Sequence, residues 1–302
     1  MRADLVWGRA AGVGRALGLL LLLASLGSVG DPGSCRAQEI QEIPEPGEAL
    51  YEVSLTDGST LYARVTSVDG DRVVLTTVGG TRVEVTRGQI REIRPADGSV
   101  VQGEFWVADP NSSRLFFTST GRSLPAGQGY VGTYLIVLPF VAVGVTDRVT
   151  LAAGAPVLIG EFEPFYLAPK IQLLRQPSAT FSVGTLVFFF NDENVGIAYG
   201  VGTFGSPDRA LTAGLGWGYS GTDFTSEPVA LLGGETRVSR RVKLITENYV
   251  LPEAVGVIFS GGLRFIGTRF ATDVAVAGIA TGDEAGCCVP LVNFSYTFGG
   301  RR

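Results

Sequence analysis

Residues 195–219 read VGIAYGVGTFGSPDRALTAGLGWGY. In the first half Val195, Ile197, Tyr199 and Val201 alternate with Gly196, Ala198, Gly200 and Gly202. After Ser206-Pro207-Asp208, Leu211, Ala213, Leu215, Trp217 and Tyr219 alternate with Thr212, Gly214, Gly216 and Gly218. Alternation of period two puts such sets on opposite faces of a strand, so the stretch predicts a hairpin. A soluble sandwich buries its bulky face and charges the other. Neither strand here has a Lys or Glu for an exposed face. The expectation is a bulky apolar exterior meeting hydrocarbon around a thinly furnished interior. Ile197, Tyr199, Leu215 and Trp217 are expected outward, and Ala198, Gly200, Gly214 and Gly216 inward.

The pattern recurs from about residue 114 to the end. In VNFSYTF (292–298), Val292, Phe294, Tyr296 and Phe298 alternate with Asn293, Ser295 and Thr297. Tight-turn signals stand near Thr146-Asp147-Arg148, Gln176-Pro177, Ser206-Pro207-Asp208, Ser239-Arg240 and Gly267-Thr268, about 30 residues apart. Counting Arg114–Ser119 as the first strand and residues 130–145 as one strand gives about twelve, each near ten residues, the length of a tilted bilayer-crossing strand. The connections GRSLPAGQG, GEFEP, NDEN, SGTDFTSE, LPE and GDEAGC are more variable and mostly acidic. Short turns on one rim and variable loops on the other are the habit of membrane barrels.

Charges inside such strands belong on the inner face, because a charge near mid-bilayer costs several kcal/mol. Lys170, Gln172, Lys243, Glu247, Arg264 and Asp273 are the candidate lumen residues. Lys243 and Glu247 stand about 13 Å apart along a strand, so each needs a cross-strand partner. Arg175 and Arg237 lie near tight turns, where a long side chain can snorkel.

Ahead of this region, residues 48–95 carry short strands punctuated by Asp57-Gly58, Asp69-Gly70 and Gly79-Gly80. The opening VSLTDG of Val53–Gly58 resembles that of SH3-like and Sm-like barrels. The resemblance implies a small, strongly bent β-barrel. An Sm-like ring would imply RNA binding, but no basic RNA-reading motif accompanies it, so a structural or protein-binding module is expected. The organisation is a signal peptide at 1–37, a linker at 38–47, the small domain at 48–95, a transition with the first barrel strand at 96–128, and the rest of the barrel at 129–302.

The basic start MRADLVWGRAAGVGRALG and the apolar LGLLLLLASLG read as an export signal. Cleavage after Ala37 removes four basic and two acidic side chains, taking the net charge from −5 to −7. No basic block remains to meet a phosphate backbone, so no nucleic acid is expected. The chain has no His, which excludes Ser-His-Asp, Cys-His and His-based metal sites. No catalytic residue, metal site or cofactor is expected, and GVGTFG lacks the Lys and helix of a phosphate loop. Cys287 and Cys288 are left to form a vicinal disulfide or to pair between chains.

The strand VNFSYTF resembles the C-terminal strand of outer-membrane β-barrel proteins, which ends on an aromatic residue read by the assembly machinery. Phe298 is the matching position, with Gly299-Gly300-Arg301-Arg302 beyond it. The resemblance spans about residues 114–298. It implies an all-β fold with an antiparallel transmembrane-type barrel, an outer-membrane location and a periplasmic N-terminal domain. Its implied partners are outer-membrane lipid and the barrel-assembly machinery, with a periplasmic protein at residues 48–95. The functional expectation is passive passage or binding of a small ligand, or a structural envelope role. The alternative is a secreted or periplasmic soluble β-barrel or sandwich with a lipid- or protein-binding role.

Overall fold

A computed structural model describes residues 42–156, 164–190, 194–252, 256–281 and 284–299. The expected signal peptide, residues 191–193 of the NDEN loop, 160–163 of GEFEP, 253 of LPE and 282–283 of GDEAGC lie outside the described residues.

The first sheet contains β1 (Leu50–Leu55), β2 (Thr60–Asp69), β3 (Arg72–Thr77), β4 (Arg82–Thr86) and β5 (Ile90–Pro95), in the order β4-β3-β2-β1-β5. One inner face buries Val53, Ala63, Val65, Val73, Leu75, Val85 and Ile93. A 3-10 turn at Arg87–Gln89 precedes β5, and Gln89 accepts the Thr86 amide at 2.8 Å. The sheet is open: β4 and β5 are its edges and do not pair. A hairpin of β6 (Gly98–Val101) and β7 (Glu104–Val107) follows, with Phe105 stacked on Tyr62 at 4.1 Å.

The second sheet closes on itself. Its twelve strands are β8 (Gln128–Tyr134), β9 (Leu138–Gly144), β10 (Val149–Gly154), β11 (Phe165–Gln176), β12 (Ala179–Phe189), β13 (Asn194–Ser206), β14 (Arg209–Ser220), β16 (Val229–Ser239), β17 (Val242–Leu251), β18 (Gly256–Ile266), β19 (Phe270–Thr281) and β20 (Glu284–Gly299). A two-residue β15 (Asp223–Phe224) flanks β14. Every neighbour pairs antiparallel, and β20 pairs with β8 to complete the ring. The five tight-turn signals all fall between paired strands. Cys287 and Cys288 are joined to each other by a disulfide within β20.

Two expected strands are corrected. Arg114–Ser119 is no ring strand; its ends meet only in an isolated bridge. Residues 130–145 are two strands, because the chain reverses at Leu135–Val137 between β8 and β9. That turn contains no Gly or Asn, and Leu135 and Ile136 adopt positive φ of 51° and 68°, so it carried no turn signal. One strand leaves the ring and another divides, and the number stays at twelve.

The barrel is apolar outside. Phe294, Tyr296 and Phe298 are exposed while Asn293, Ser295 and Thr297 are buried. Within the ring strands, the charged side chains Lys170, Glu235, Arg237, Lys243, Glu247, Arg264 and Asp273 are all buried. The exposed Arg175 and Arg209 stand at strand ends beside tight turns. Arg237 therefore turns inward to Asp208, at 3.0 Å, instead of snorkelling.

The opening hairpin obeys half of its expectation. Leu215 and Trp217 are 46% and 38% exposed, but Val201 and Thr203, on the face shared by Ile197 and Tyr199, are each 1% exposed. The bulky face of β13 points inward. The cause is register: the turn pairs Ser206 with Arg209, which sets Tyr199 opposite Gly216 and Gly200 opposite Leu215. Directly opposed residues share a face, so the bulky sets of the two strands must fall on opposite faces. Outside, Ala198 and Gly200 leave a shallow apolar groove between Ile171, Val183 and Trp217.

Candidate functional site: a lumen occupied by its own chain

The segment between β7 and β8, residues 108–127, lies inside the barrel. Asp109, Asn111, Ser113, Arg114, Leu115, Phe116 and Thr120 are each 5% exposed or less. Asp109-Pro110-Asn111 forms a local turn, with the Asn111 amide donating to the Asp109 carboxylate at 2.9 Å. The chain then folds back on itself through Leu115 N to Thr118 O at 2.9 Å and Thr120 N to Ser113 O at 2.9 Å. Phe116 and Phe117 form the tip.

Backbone turned inward without a neighbouring strand must find other partners. The barrel wall supplies them at three places. At the foot, Asp109 accepts from Lys243 at 2.6 Å and from Arg264 at 3.2 Å. Lys243 also donates to Glu235 at 2.9 Å, and Arg264 grips Asp273 with two bonds of 2.6 and 3.1 Å. Nη1, shared with Asp109, also meets the carbonyls of Asn111 at 2.8 Å and Arg114 at 3.2 Å, and Nη2 meets that of Leu115 at 2.6 Å. Planar fork geometry makes Arg suited to this many acceptors.

At the tip, the Glu247 carboxylate accepts the amides of Phe116 at 2.7 Å, Phe117 at 3.1 Å and Thr118 at 3.2 Å. The Tyr249 hydroxyl donates to the same carboxylate, and Asn293 donates to the Phe116 carbonyl at 3.1 Å. Successive amides converging on an anion form a concave nest; here the anion belongs to the wall.

On the returning arm, Lys170 donates to the carbonyls of Ser113 at 3.3 Å, Thr120 at 3.1 Å and Arg122 at 2.6 Å. Gln172 and Ser182 both donate to the Gly121 carbonyl at 2.9 Å, and Thr203 accepts the Gly121 amide at 2.9 Å. Arg122 pairs with Glu235. Apolar fit completes the contact: Gly233 on β16 has no Cβ because one would collide with Leu115.

All six sequence-predicted lumen residues thus meet this segment or, for Asp273, the Arg264 that holds it. Lys243 and Glu247 do not contact each other; they grip the foot and the tip. Sequence reading missed Asp109, Arg114, Arg122 and Glu235. Glu235 was discoverable, since it shares the inner face of its strand with Arg237 and lies across a tight turn from Lys243.

The other half of the lumen is different in kind. Tyr134, Tyr166, Phe188, Ile197, Tyr199 and Tyr249 are partly exposed on the inner face beyond the tip. Phe117 packs on Tyr134 at 5.3 Å and Tyr166 on Phe188 at 5.7 Å between ring centroids. The Arg114 guanidinium sits 4.7 Å from the ring centroids of both Tyr134 and Phe140, a cation–π arrangement. The lumen is therefore polar and filled toward the tight turns, and aromatic toward the longer loops.

No family model matches this sequence, and no curated protein matches it. Among solved structures, the KdgM porin in complex with disordered oligogalacturonate is similar at 7% identity and a TM-score of 0.44, over 57% of this chain and 98% of that one. An outer membrane channel from Pseudomonas putida F1 is similar at 10% identity and a TM-score of 0.40, over 59% and 97%. OmpF of Salmonella typhi in complex with daunomycin is similar at 8% identity and a TM-score of 0.33, over 82% and 94%. What these proteins bind or pass says nothing about the lumen of this chain.

Proposed function

We propose that this protein is an outer-membrane β-barrel, closed on its periplasmic side by residues 108–127, that holds a small ligand in the aromatic half of its lumen. One observation carries the membrane assignment: internal strand charges turn inward while Leu211, Leu215, Leu232, Phe259, Phe265, Val274, Phe294 and their neighbours are exposed around the ring. Soluble monomers rarely expose apolar patches beyond a few hundred Å²; a bilayer requires them. The filled polar half favours holding over free passage, because opening it would part Asp109 from Lys243 and Arg264 and leave Glu247 without the three amides it accepts.

The small sheet stands on the periplasmic side in this reading and serves as a protein-binding module. The order β4-β3-β2-β1-β5 with a 3-10 turn before β5 supports an SH3-like relation. Lipid and the barrel-assembly machinery are the implied partners.

Membrane fractionation of the native cell followed by heat-shift electrophoresis tests the assignment. The protein is expected in the outer-membrane fraction, with an unheated band that migrates apart from the heated one. Recovery as a soluble periplasmic or secreted protein would overturn it.

A further inference from the structure

The barrel wall is not equally tall all round. β8 and β9 have 7 residues each and β10 has 6, whereas the other nine ring strands have 10 to 16. A tilted strand needs about 9–11 residues to cross the hydrocarbon. These three stop short of it. β20 shows the consequence: Phe294–Gly299 pair with β8, but residues 284–293, among the described residues, pair only with β19. Pro290, with no N–H to offer a further strand, stands in this stretch.

The turn that ends the short wall is a second, independent sign. A hairpin tip in water is usually built from Gly, Asn or Asp. This one is Leu135-Ile136-Val137, exposed by 37%, 71% and 44%. Such a tip suits hydrocarbon. Immediately inside the low wall lie Tyr134 and Tyr166, both packed on the cluster of Leu124, Tyr130 and Phe140. A notch in the wall, rimmed by apolar side chains, therefore adjoins the aromatic half of the lumen. The floor of that space is closed by the tip at Phe116 and Phe117.

Resting on the outer-membrane reading above, we infer that the gap between β20 and the β8–β9 turn is a lateral portal. Through it a single-chain amphiphile, its tail apolar, exchanges between the bilayer and the aromatic chamber. A lipid-phase ligand is the occupant the rim selects, because the side chains of Leu135, Ile136 and Val137 offer no hydrogen bond that a sugar or an ion could use.

The test uses full-length protein carrying Trp7→Phe throughout, in phosphatidylcholine vesicles with dibrominated stearate as a short-range quencher. One reporter keeps Trp217 on the outer belt, with Trp106→Phe. The other is Tyr166→Trp in the chamber, with Trp106→Phe and Trp217→Phe. Both reporters should be quenched. A third form lengthens the β8–β9 hairpin by two residues per strand with an Asn-Gly turn, extending its pairing with β20. Lengthening should lower chamber quenching about five-fold and leave the belt reporter unchanged, with a retained heat shift showing that the barrel folds. Belt quenching without chamber quenching would overturn the portal alone. Equal chamber quenching with the long hairpin would show entry from the outer mouth and would also overturn it. An unquenched belt reporter would instead sink the membrane assignment.

Discussion

The hairpins β13–β14 and β17–β18 sit in one wall and announce their faces differently. In β17–β18, Lys243, Glu247 and Arg264 label the inner face, and all three are buried as charge demands. In β13–β14 no charge interrupts the strands, and bulk alternates with glycine on both. There bulk was a false guide. Val201 packs inward opposite Gly214, and Leu215 faces outward opposite Gly200. Charge assigns a face by itself because the wrong face costs several kcal/mol. Bulk does so only together with register, since large residues fit either side if their neighbours are small.

Substitutions break the two hairpins by different amounts. Arg264→Met should cost most, about 3–5 kcal/mol, because it leaves Asp273 buried beside a vacated cation site. Urea unfolding in lipid vesicles would show it as an earlier midpoint. Leu215→Arg follows, opposing insertion by about 2–4 kcal/mol near mid-membrane, read as loss of the folded band in heat-shift gels. Gly233→Val should cost about 1–3 kcal/mol by overpacking against Leu115; Leu115→Ala in the same chain should recover part of that loss. Ile197→Arg is expected to be mildest, about 0.5 kcal/mol, if it reaches the solvated chamber. A cost at 197 matching that at 215 would mean that β13 faces lipid after all.

Much of the ring was legible in the sequence for a physical reason. Period-two alternation, Pro and Gly turns and the placement of Lys170, Lys243 and Arg264 each express a strand with one wet and one dry side. The interior segment was not legible. SSRLFFTSTG holds a short apolar run, Leu115-Phe116-Phe117, between polar residues, as a short strand would, yet it pairs with side chains instead of a neighbouring strand. Nothing local distinguishes those two ways of satisfying a backbone. The β8–β9 turn escaped for the opposite reason: Leu135-Ile136-Val137 continues the apolar run on either side, and Leu135 and Ile136 take up positive φ without the Gly or Asn that usually marks it.

The most direct test of the account places spin labels singly at 197, 198, 201 and 215 in reconstituted protein. Labels at 198 and 215 should relax with dissolved oxygen and be shielded from an aqueous nickel chelate, because Ala198 and Leu215 face the bilayer. Labels at 197 and 201 should lack that lipid signature, because Ile197 and Val201 face the lumen. Equal oxygen accessibility at 197 and 198 would contradict the register, and low accessibility at all four would contradict a barrel surrounded by lipid.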